Sequence, residues 1–143
     1  MATPAINWTK LNINGSFSHD DESAGVGMVL RDQEGASIFK ACRSLWSCPD
    51  PLLVELAGCI KGIVLALEWT VLPFIMQCDN LQAVQLISAT GQNRSHYAMV
   101  VSKVTCLMSE RECSVAHISR EQNNVNHTLA NFGISQDQSV VWL

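Results

Sequence analysis

Positive charge is scarce in this sequence of 143 residues. Lys and Arg together number 9 against 13 Asp and Glu, so the formal net charge is −4. Non-specific affinity for nucleic acid grows with the number of Lys and Arg side chains that neutralise phosphates. The composition therefore excludes a protein that coats nucleic acid through bulk charge. Any nucleic-acid role has to depend on a shaped site or on bound metal ions.

Charged residues of either sign make up only 15% of the chain, while hydrophobic residues make up 48%. An intrinsically disordered chain needs the opposite balance, so disorder is excluded. The sequence does not open with a basic and apolar leader, and its apolar stretch at 62–67 is too short to span a bilayer. We therefore expect no membrane association and a cytoplasmic or nuclear location.

The cysteines lack the CxxC spacing that is typical of zinc and redox sites. Most of the six lie inside apolar runs, which favours buried free thiols in a reducing compartment. Disulfide bonds and a metal site remain the alternatives at this stage. We expect no disulfide-linked partner. The six are Cys42, Cys48, Cys59, Cys78, Cys106 and Cys113.

No linker, repeat or low-complexity segment divides the chain. We predict one domain over 1–143, with its core at about 6–132 and a C-terminal tail at 133–143. Alternating and helical hydrophobic patterns predict strands at 8–17, 24–31, 36–45, 74–78 and 114–119, and helices at 51–69, 81–89, 95–111 and 123–132. The order βββαβααβα predicts an α/β fold, in which helices flank a five-stranded mixed sheet of three antiparallel strands followed by two parallel strands.

Four polar residues stand out because they fall at the ends of predicted strands or within the predicted helices. They are Asn14, Glu55, Asp79 and His127. In sheets of this kind, ligands gather at the carboxyl ends of the strands. Each residue also has a structural explanation: a polar residue on a half-exposed strand for Asn14, a favourable helix dipole for Glu55, the N-cap of helix 81–89 for Asp79, and a helix face or satisfied core position for His127.

Five segments in chain order carry a resemblance to a known family. They are WTKLNINGSF at 8–17, GVGMVLRD at 25–32, VELA at 54–57, CDN at 78–80 and REQNNVNHTLA at 120–130. Each is weak alone, but the ordered set resembles the plant, retrotransposon-derived branch of the ribonuclease H-like family over most of the chain. The resemblance implies a ribonuclease H-like fold, which agrees with the element order read from the periodicity.

The resemblance also implies a catalytic site. In active members of the family, acidic residues hold two Mg²⁺ ions, which activate a water and stabilise the leaving oxygen during phosphodiester hydrolysis. The matching catalytic positions are Asn14, Glu55, Asp79 and His127, with Glu55 and Asp79 as ligands of Mg²⁺ or Mn²⁺. Histidine at position 127 is common in the plant branch, but asparagine at position 14 departs from the family's aspartate.

The departure at Asn14 removes a negative charge from the implied metal site. Glu55 and Asp79 then supply two negative charges against the four positive charges of two magnesium ions, so we expect weak metal binding and weak or absent hydrolysis. The sequence does not decide whether Asn14 is natural or a deliberate replacement of aspartate. The acidic loop at 19–22 could lend carboxylates to a metal or be a solvated turn.

Nucleic-acid contacts implied by the resemblance fall on Gly15, Ser16 and Asn80, for which turn and cap chemistry is the alternative, and on Arg120. Arg120 could form a salt-bridged lip to the site with Glu121, or the two could be only a surface pair. The first hypothesis is a domain that binds RNA or RNA–DNA hybrid with low affinity through a degenerate two-metal site. The second is an active metal-dependent endonuclease, a hydrolase of the RNA–DNA hybrid, in which Asn14 is an inactivating change. The third is a non-catalytic module that binds a protein partner, favoured by the acidic composition and a mean hydropathy of +0.14.

Overall fold

The computed structural model describes residues 7–18, 23–45, 50–89, 96–119 and 140–142. Within these ranges the chain forms six strands and three helices. They are β1 (Thr9–Phe17), β2 (Ala24–Arg31), β3 (Ser37–Leu45), α1 (Pro51–Trp69), β4 (Phe74–Cys78), α2 (Leu81–Ser88), α3 (Ala98–Met108), β5 (Cys113–His117) and β6 (Val140–Trp142). The predicted helix 123–132, with His127, and also Arg120 lie outside the described residues.

The strands form one mixed sheet in the order β5-β4-β1-β2-β3-β6. β1, β2 and β3 pair antiparallel, whereas β4 is parallel to β1 and β5 is parallel to β4. This confirms the predicted five-stranded arrangement and the α/β class. β6 adds a sixth strand, antiparallel to β3, in the tail where we predicted no regular element. Three residues are too few for a period-two pattern to be recognised in a sequence.

Helix α1 packs closely on β1 and β2. A Cβ atom on Gly58 would lie 2.9 Å from Ile13 Cγ2 and 3.0 Å from Val26 Cγ1, so only glycine allows this approach. Ile13 and Val26 are fully buried in the interface. The short distance between helix and strand determines how far the side chains of α1 reach toward the end of β1.

The first turn of α1 is fixed at Asp50. Its Oδ1 accepts a hydrogen bond from the Leu53 backbone N–H at 2.8 Å, and Pro51 occupies the first helical position, where no N–H is needed. The Tyr97 hydroxyl donates to Asp50 Oδ2 at 3.1 Å. This contact joins the beginning of α1 to the residue that precedes α3, so the start of α1 is fixed both by its cap and by tertiary structure.

The predicted N-cap of the helix at 81–89 was wrong by one residue. Asn80 caps α2, and its Oδ1 accepts a hydrogen bond from the Ala83 N–H at 3.0 Å. A capping side chain bonds to the second or third residue after it, so Asp79 lies one position too early to cap a helix that begins at Leu81. Asp79 therefore does not cap α2.

The sheet face opposite α1 carries a buried polar row. Lys10, Asn12 and Asn14 alternate along β1, and each is at most 4% exposed, in contrast to the half-exposed strand face that the sequence suggested for Asn14. Asn12 Nδ2 donates to Gln77 Oε1 at 3.1 Å, and Asn12 Oδ1 accepts from Arg31 Nη1 at 3.3 Å. Burial, followed by the nearby Arg31 charge, lowers the pKa of Lys10.

The five described cysteines are free thiols, as expected, but only three of them are buried: Cys106 is exposed and Cys113 is half-buried. Cys48 lies outside the described residues. The five are Cys42, Cys59, Cys78, Cys106 and Cys113. The Sγ atoms of Cys59 and Cys78 are 3.7 Å apart, within hydrogen-bonding distance for sulfur. Among the helices that the structure describes, none is both long and apolar enough to cross a membrane.

The C-terminal end of α1 has no basic residue in its own last turn. Arg111, from the loop before β5, supplies the charge instead. Its Nη1 donates to Ala66 O at 3.3 Å and its Nη2 donates to Leu67 O at 3.2 Å. A guanidinium at this end satisfies helix carbonyls and complements the negative pole of the helix dipole.

We expect Arg111→Ala to lower the free energy of unfolding by about 1–2 kcal/mol, because two helix carbonyls lose a charged donor. Chemical denaturation followed by circular dichroism measures the change. Lys103→Ala, which removes an exposed cation from α3, is the matched control and should change the stability by less than about 0.5 kcal/mol. Equal effects of the two substitutions would contradict the capping role.

Candidate functional site

The carboxyl ends of β1 and β4 lie side by side at one edge of the sheet. Ile13 pairs with Cys78 in the parallel register, so Asn14 and Asp79 are the next residues on the two strands. Cys78 contacts Cys59 of α1, which places Cys78 on the α1 side of the sheet. Because side chains alternate along a strand, the Asn14 side chain lies on the opposite side. The strand register therefore brings these two predicted site residues together.

Glu55 joins the site through a hydrogen bond to the backbone of β1. The Gly15 N–H donates to Glu55 Oε2 at 2.8 Å, and Glu55 is only 3% exposed. Glu55 lies in the second turn of α1, and the structure places no acidic residue in the first turn. The helix-dipole explanation therefore does not account for its position, whereas the bond to Gly15 does.

A glycine at position 15 is a steric requirement of this contact. A Cβ atom there would lie 2.8 Å from Val54 Cγ1 and 3.0 Å from Glu55 Oε2. Real Cβ atoms essentially never come within 3.0 Å of another heavy atom. Gly15 thus allows the carboxylate of Glu55 to approach the end of β1, directly beside Asn14.

Asn14 is the most unusual residue of the site. It is 1% exposed, and neither its Nδ2 nor its Oδ1 forms a hydrogen bond with the described part of the chain. A buried polar group without a partner costs about 1–3 kcal/mol. A buried amide that the described residues leave unsatisfied, close in the sheet to two acidic residues, marks this end of β1 as a candidate binding site.

The carboxylates of Glu55 and Asp79 place negative charge near the buried thiol of Cys78. The hydrogen bond with Cys59 and complete burial raise the pKa of Cys78 well above its ordinary value, and the charges of Glu55 and Asp79 raise it further. Both carboxylates therefore act on the same buried sulfur. A negative potential of this kind attracts cations to the end of the sheet.

His117 is a site residue that our sequence reasoning missed. It pairs with Cys78 in the β4–β5 register, and its Nε2 lies 3.2 Å from the backbone oxygen of Asp79. The imidazole is exposed, so a ligand at this edge can reach it. The predicted strand ran from 114 to 119, so His117 did not stand at its carboxyl end, where ligands gather; the structure ends β5 at His117.

The remaining predicted residues fall into two groups. Gly15 and Ser16 are half-buried at the end of β1, and Asn80 is half-buried beside Asp79, so the described part of the predicted nucleic-acid surface is continuous with Asn14, Glu55 and Asp79. Arg120 and His127 lie outside the described residues. The roles of all of these residues in binding or catalysis stay predictions.

The oxygen donors of the site are of the types that bind a hard divalent cation, but they are fewer than such a site needs. Two carboxylates and one amide oxygen are the ligand types that Mg²⁺ and Mn²⁺ accept. Within the described ranges, no group of three or more His, Cys, Asp or Glu side chains could hold a metal ion. Asparagine in place of an acid at position 14 is one reason, because it reduces the acidic members of this cluster to two.

We expect Gly15→Ala to lower the free energy of unfolding by about 1–3 kcal/mol, because the added methyl group overlaps Val54 and displaces the Glu55 carboxylate. Thermal or chemical denaturation measures the loss. The control is Gly35→Asn in the β2–β3 turn, where φ is +86° and no atom lies within 4 Å of an added Cβ. Asparagine tolerates that conformation, so the control should be less costly. A Gly15→Ala protein as stable as the unmodified chain would contradict the packing described here.

The chain shares sequence with known proteins. Residues 12–133 match a protein family described as reverse transcriptase-like. A protein of Arabidopsis thaliana that carries the name ribonuclease H protein is 27% identical over 135 residues, which cover 93% of this chain and 22% of that protein. The chain therefore spans about a fifth of the length of this relative.

Solved structures share its fold. Ribonuclease H1 from Halobacterium salinarum superposes with a TM-score of 0.83 at 14% identity, covering 90% of this chain and 98% of that one. The N-terminal ribonuclease H domain of a Mycobacterium tuberculosis protein has a TM-score of 0.81 at 15% identity, with 91% and 95% coverage. A ribonuclease H1 from compost, LC11, solved in complex with an RNA/DNA hybrid, has a TM-score of 0.79 at 16% identity, with 90% and 97% coverage.

Proposed function

The chain belongs to the reverse transcriptase-like family, and from that membership we propose that it binds RNA or RNA–DNA hybrid at the edge formed by Asn14, Glu55 and Asp79 and cuts the bound strand poorly or not at all. Membership confirms the resemblance to the ribonuclease H-like, retrotransposon-derived family that the sequence motifs carry. The hybrid seen with the compost ribonuclease H1, whose fold this chain shares, supports the choice of ligand.

The observation that carries this proposal is the buried amide of Asn14. It occupies the end of β1 between an acidic residue of α1 and one that follows β4, with both of its polar atoms unsatisfied in the described structure. An aspartate there would add a third carboxylate at this end of the sheet. Asparagine keeps the shape of that side chain and removes its charge, so the site retains its form and loses cation affinity.

A divalent cation, Mg²⁺ or Mn²⁺, would be held by Glu55 and Asp79, with the Asn14 amide oxygen as a neutral third donor. Such an ion supplies Lewis-acid stabilisation and a more acidic water when bound. The chain itself contributes the cradle: Gly15 orients Glu55 through its N–H, and Asn80 fixes the start of α2 directly after Asp79. The exposed imidazole of His117 lies where it can donate a hydrogen bond to a phosphate or carry a proton.

A second candidate function is a protein-interaction module. Large apolar side chains are exposed at the end of α1 and in the loop that follows, with Trp69 at 42%, Val71 at 88% and Leu72 at 37% exposure. Exposed apolar groups of this kind are typical of contact surfaces. The proposal of hybrid binding takes precedence because it accounts for Asn14, Glu55 and Asp79 together, whereas the apolar surface does not.

We expect Asn14→Asp to bind Mn²⁺ at least tenfold more tightly than the unmodified chain, because it restores a negative charge to a buried oxygen cluster. Isothermal titration calorimetry measures the affinity, and a labelled RNA–DNA hybrid measures the cleavage that should appear with it. Gln85→Glu adds the same charge to the exposed surface of α2 and should change neither. Equal, robust cleavage by Asn14→Asp and by the unmodified chain would refute the impaired site.

We expect His117→Ala to weaken hybrid binding by roughly three- to tenfold, since one donor beside the Asp79 backbone is lost. Fluorescence anisotropy at low salt, repeated at increasing salt, measures the effect. The matched control is His96→Ala, which removes a histidine that stacks on Tyr97 before α3. If both variants bind hybrid like the unmodified chain, the ligand does not reach the end of β5.

A further inference from the structure

Asn14 and Gly15 form the one Asn–Gly pair of the sequence. In such a pair the following backbone nitrogen can attack the side-chain carbonyl carbon with little obstruction, because glycine has no Cβ and wide backbone freedom. At a position with room for a Cβ atom, another residue could replace the glycine of such a pair. Here the contact with Val54 and Glu55 does not admit a larger residue. The packing that positions Glu55 therefore also keeps a glycine after Asn14. An asparagine in such a pair is prone to deamidation, the loss of its side-chain nitrogen as ammonia.

We propose that Asn14 is a deamidation site, and that its conversion to aspartate supplies the carboxylate that the acidic site lacks. The Gly15 nitrogen attacks Asn14 Cγ, forming an N–Cγ bond while its proton leaves. The side-chain nitrogen then departs as ammonia with a returned proton, and a five-membered succinimide remains. Water cleaves the new N–Cγ bond to give aspartate, so the reaction needs no oxidant or reductant.

Two observations favour this chemistry at Asn14. The Gly15 N–H already donates to Glu55 Oε2 at 2.8 Å, which is the distance at which a carboxylate acts as a general base. The Asn14 amide is bound by no hydrogen bond within the described residues, so its rotation and departure break none there. Glu55 can thus accept the proton of the attacking nitrogen and return it to the leaving ammonia.

The pairing of β1 within the sheet limits the rate at which Asn14 can deamidate. Asn14 pairs with Gly27 in an extended strand, which holds the Gly15 nitrogen away from the geometry needed for attack. Reaction therefore requires local opening of the end of β1. Beyond Ile13 the strand is paired with β2 alone, as far as Phe17, and residues 15–17 are half-buried, so this end opens more readily than the centre of β1, which is paired on both sides. We expect conversion in the folded protein to be slower than in the unfolded chain but measurable.

The strand also distinguishes the two products. Cleavage of the other succinimide bond, between the Asn14 carbonyl carbon and the Gly15 nitrogen, gives isoaspartate. Isoaspartate adds one atom to the backbone, which would displace Gly15 and the residues after it from their partners on β2. Aspartate has the backbone of asparagine and fits the same register. We therefore expect the pairing of β1 with β2 to form again in molecules that carry aspartate, and not in molecules that carry isoaspartate.

Asn12 is an internal control provided by the chain. It lies on the same strand and the same face as Asn14 and is likewise 1% exposed. It is followed by the β-branched Ile13, and hydrogen bonds to Arg31 and Gln77 hold its side chain. Burial and strand face are thus matched, while the following glycine, the unbound amide and the pairing with β4, which includes Asn12 and stops at Ile13, are not.

The experiment follows the freshly purified chain at mildly alkaline pH over weeks, beside a sample unfolded in urea. Peptide mass spectrometry with fragmentation measures the acid at each asparagine and its linkage. We expect aspartate at residue 14 in the folded sample and no conversion at Asn12. Glu55→Gln should slow the folded reaction several-fold and leave the unfolded reaction unchanged. A folded sample that keeps its amide while the unfolded one converts would overturn the proposal, as would equal conversion of Asn12 and Asn14.

The restored carboxylate is tested separately, because that half of the proposal rests on the proposed function. Ion exchange separates converted from unconverted protein, and calorimetry with Mn²⁺ measures the affinity of each. We expect the converted fraction to match Asn14→Asp, at least tenfold tighter than the unconverted one. If isoaspartate is the sole folded product, restoration is wrong although the site deamidates. If Asn14→Asp itself binds no Mn²⁺, the proposed function fails while the mass measurement still stands.

Discussion

The hydrogen bond from the Gly15 N–H to Glu55 Oε2 is the constraint on which the rest of the site depends. It joins the first strand of the sheet to the helix that follows the three-stranded meander, across 40 positions of sequence. For the bond to form, α1 must lie close on β1, position 15 must lack a Cβ, and the start of α1 must be fixed in place. Each of these requirements accounts for a separate group of residues in the sequence.

A charge balance connects the site to the composition of the whole chain. A net charge of −4 disfavours contact with phosphates unless cations stand between them, and the edge of the sheet is the place where cations would gather. In the proposed function, Asn14 lowers the affinity of this edge for cations while it preserves the shape of the site. A single uncharged side chain can therefore separate recognition of a nucleic acid from its hydrolysis, because shape governs the first and charge density governs the second.

Most of the fold could be predicted from the sequence, because its helices and strands have strong hydrophobic periodicity. The bounds of β2, α1 and β4 agree with the prediction to the residue, since proline, glycine or a change of period marks their ends. β6 was not predicted because three residues cannot display a period. The cap of α2 was placed one residue too early because aspartate and asparagine cap equally well, and only the backbone shows where the first turn begins.

The site was less accessible from sequence than the fold. Asn14, Glu55 and Asp79 were found by resemblance, but the burial of Asn14 was not predicted, because the alternation of β1 suggested a half-exposed polar face. His117 was missed because a single histidine at a strand end has no local pattern. The contact between Gly15 and Glu55 joins residues far apart in sequence, so only the packing of α1 on β1 reveals it.

The pairing of β6 with β3 has a consequence for how this domain can be handled. β3 is a nine-residue strand, and without its neighbour it would offer a long row of open backbone groups to other chains. The three residues of β6 pair with the middle of that row, at Lys40, Ala41 and Cys42. In the described sheet the other margin is β5, which has five residues and several exposed side chains. A fragment that keeps this edge of the sheet covered therefore has to extend to Trp142, which lies beyond the last segment that resembles the family, at 120–130.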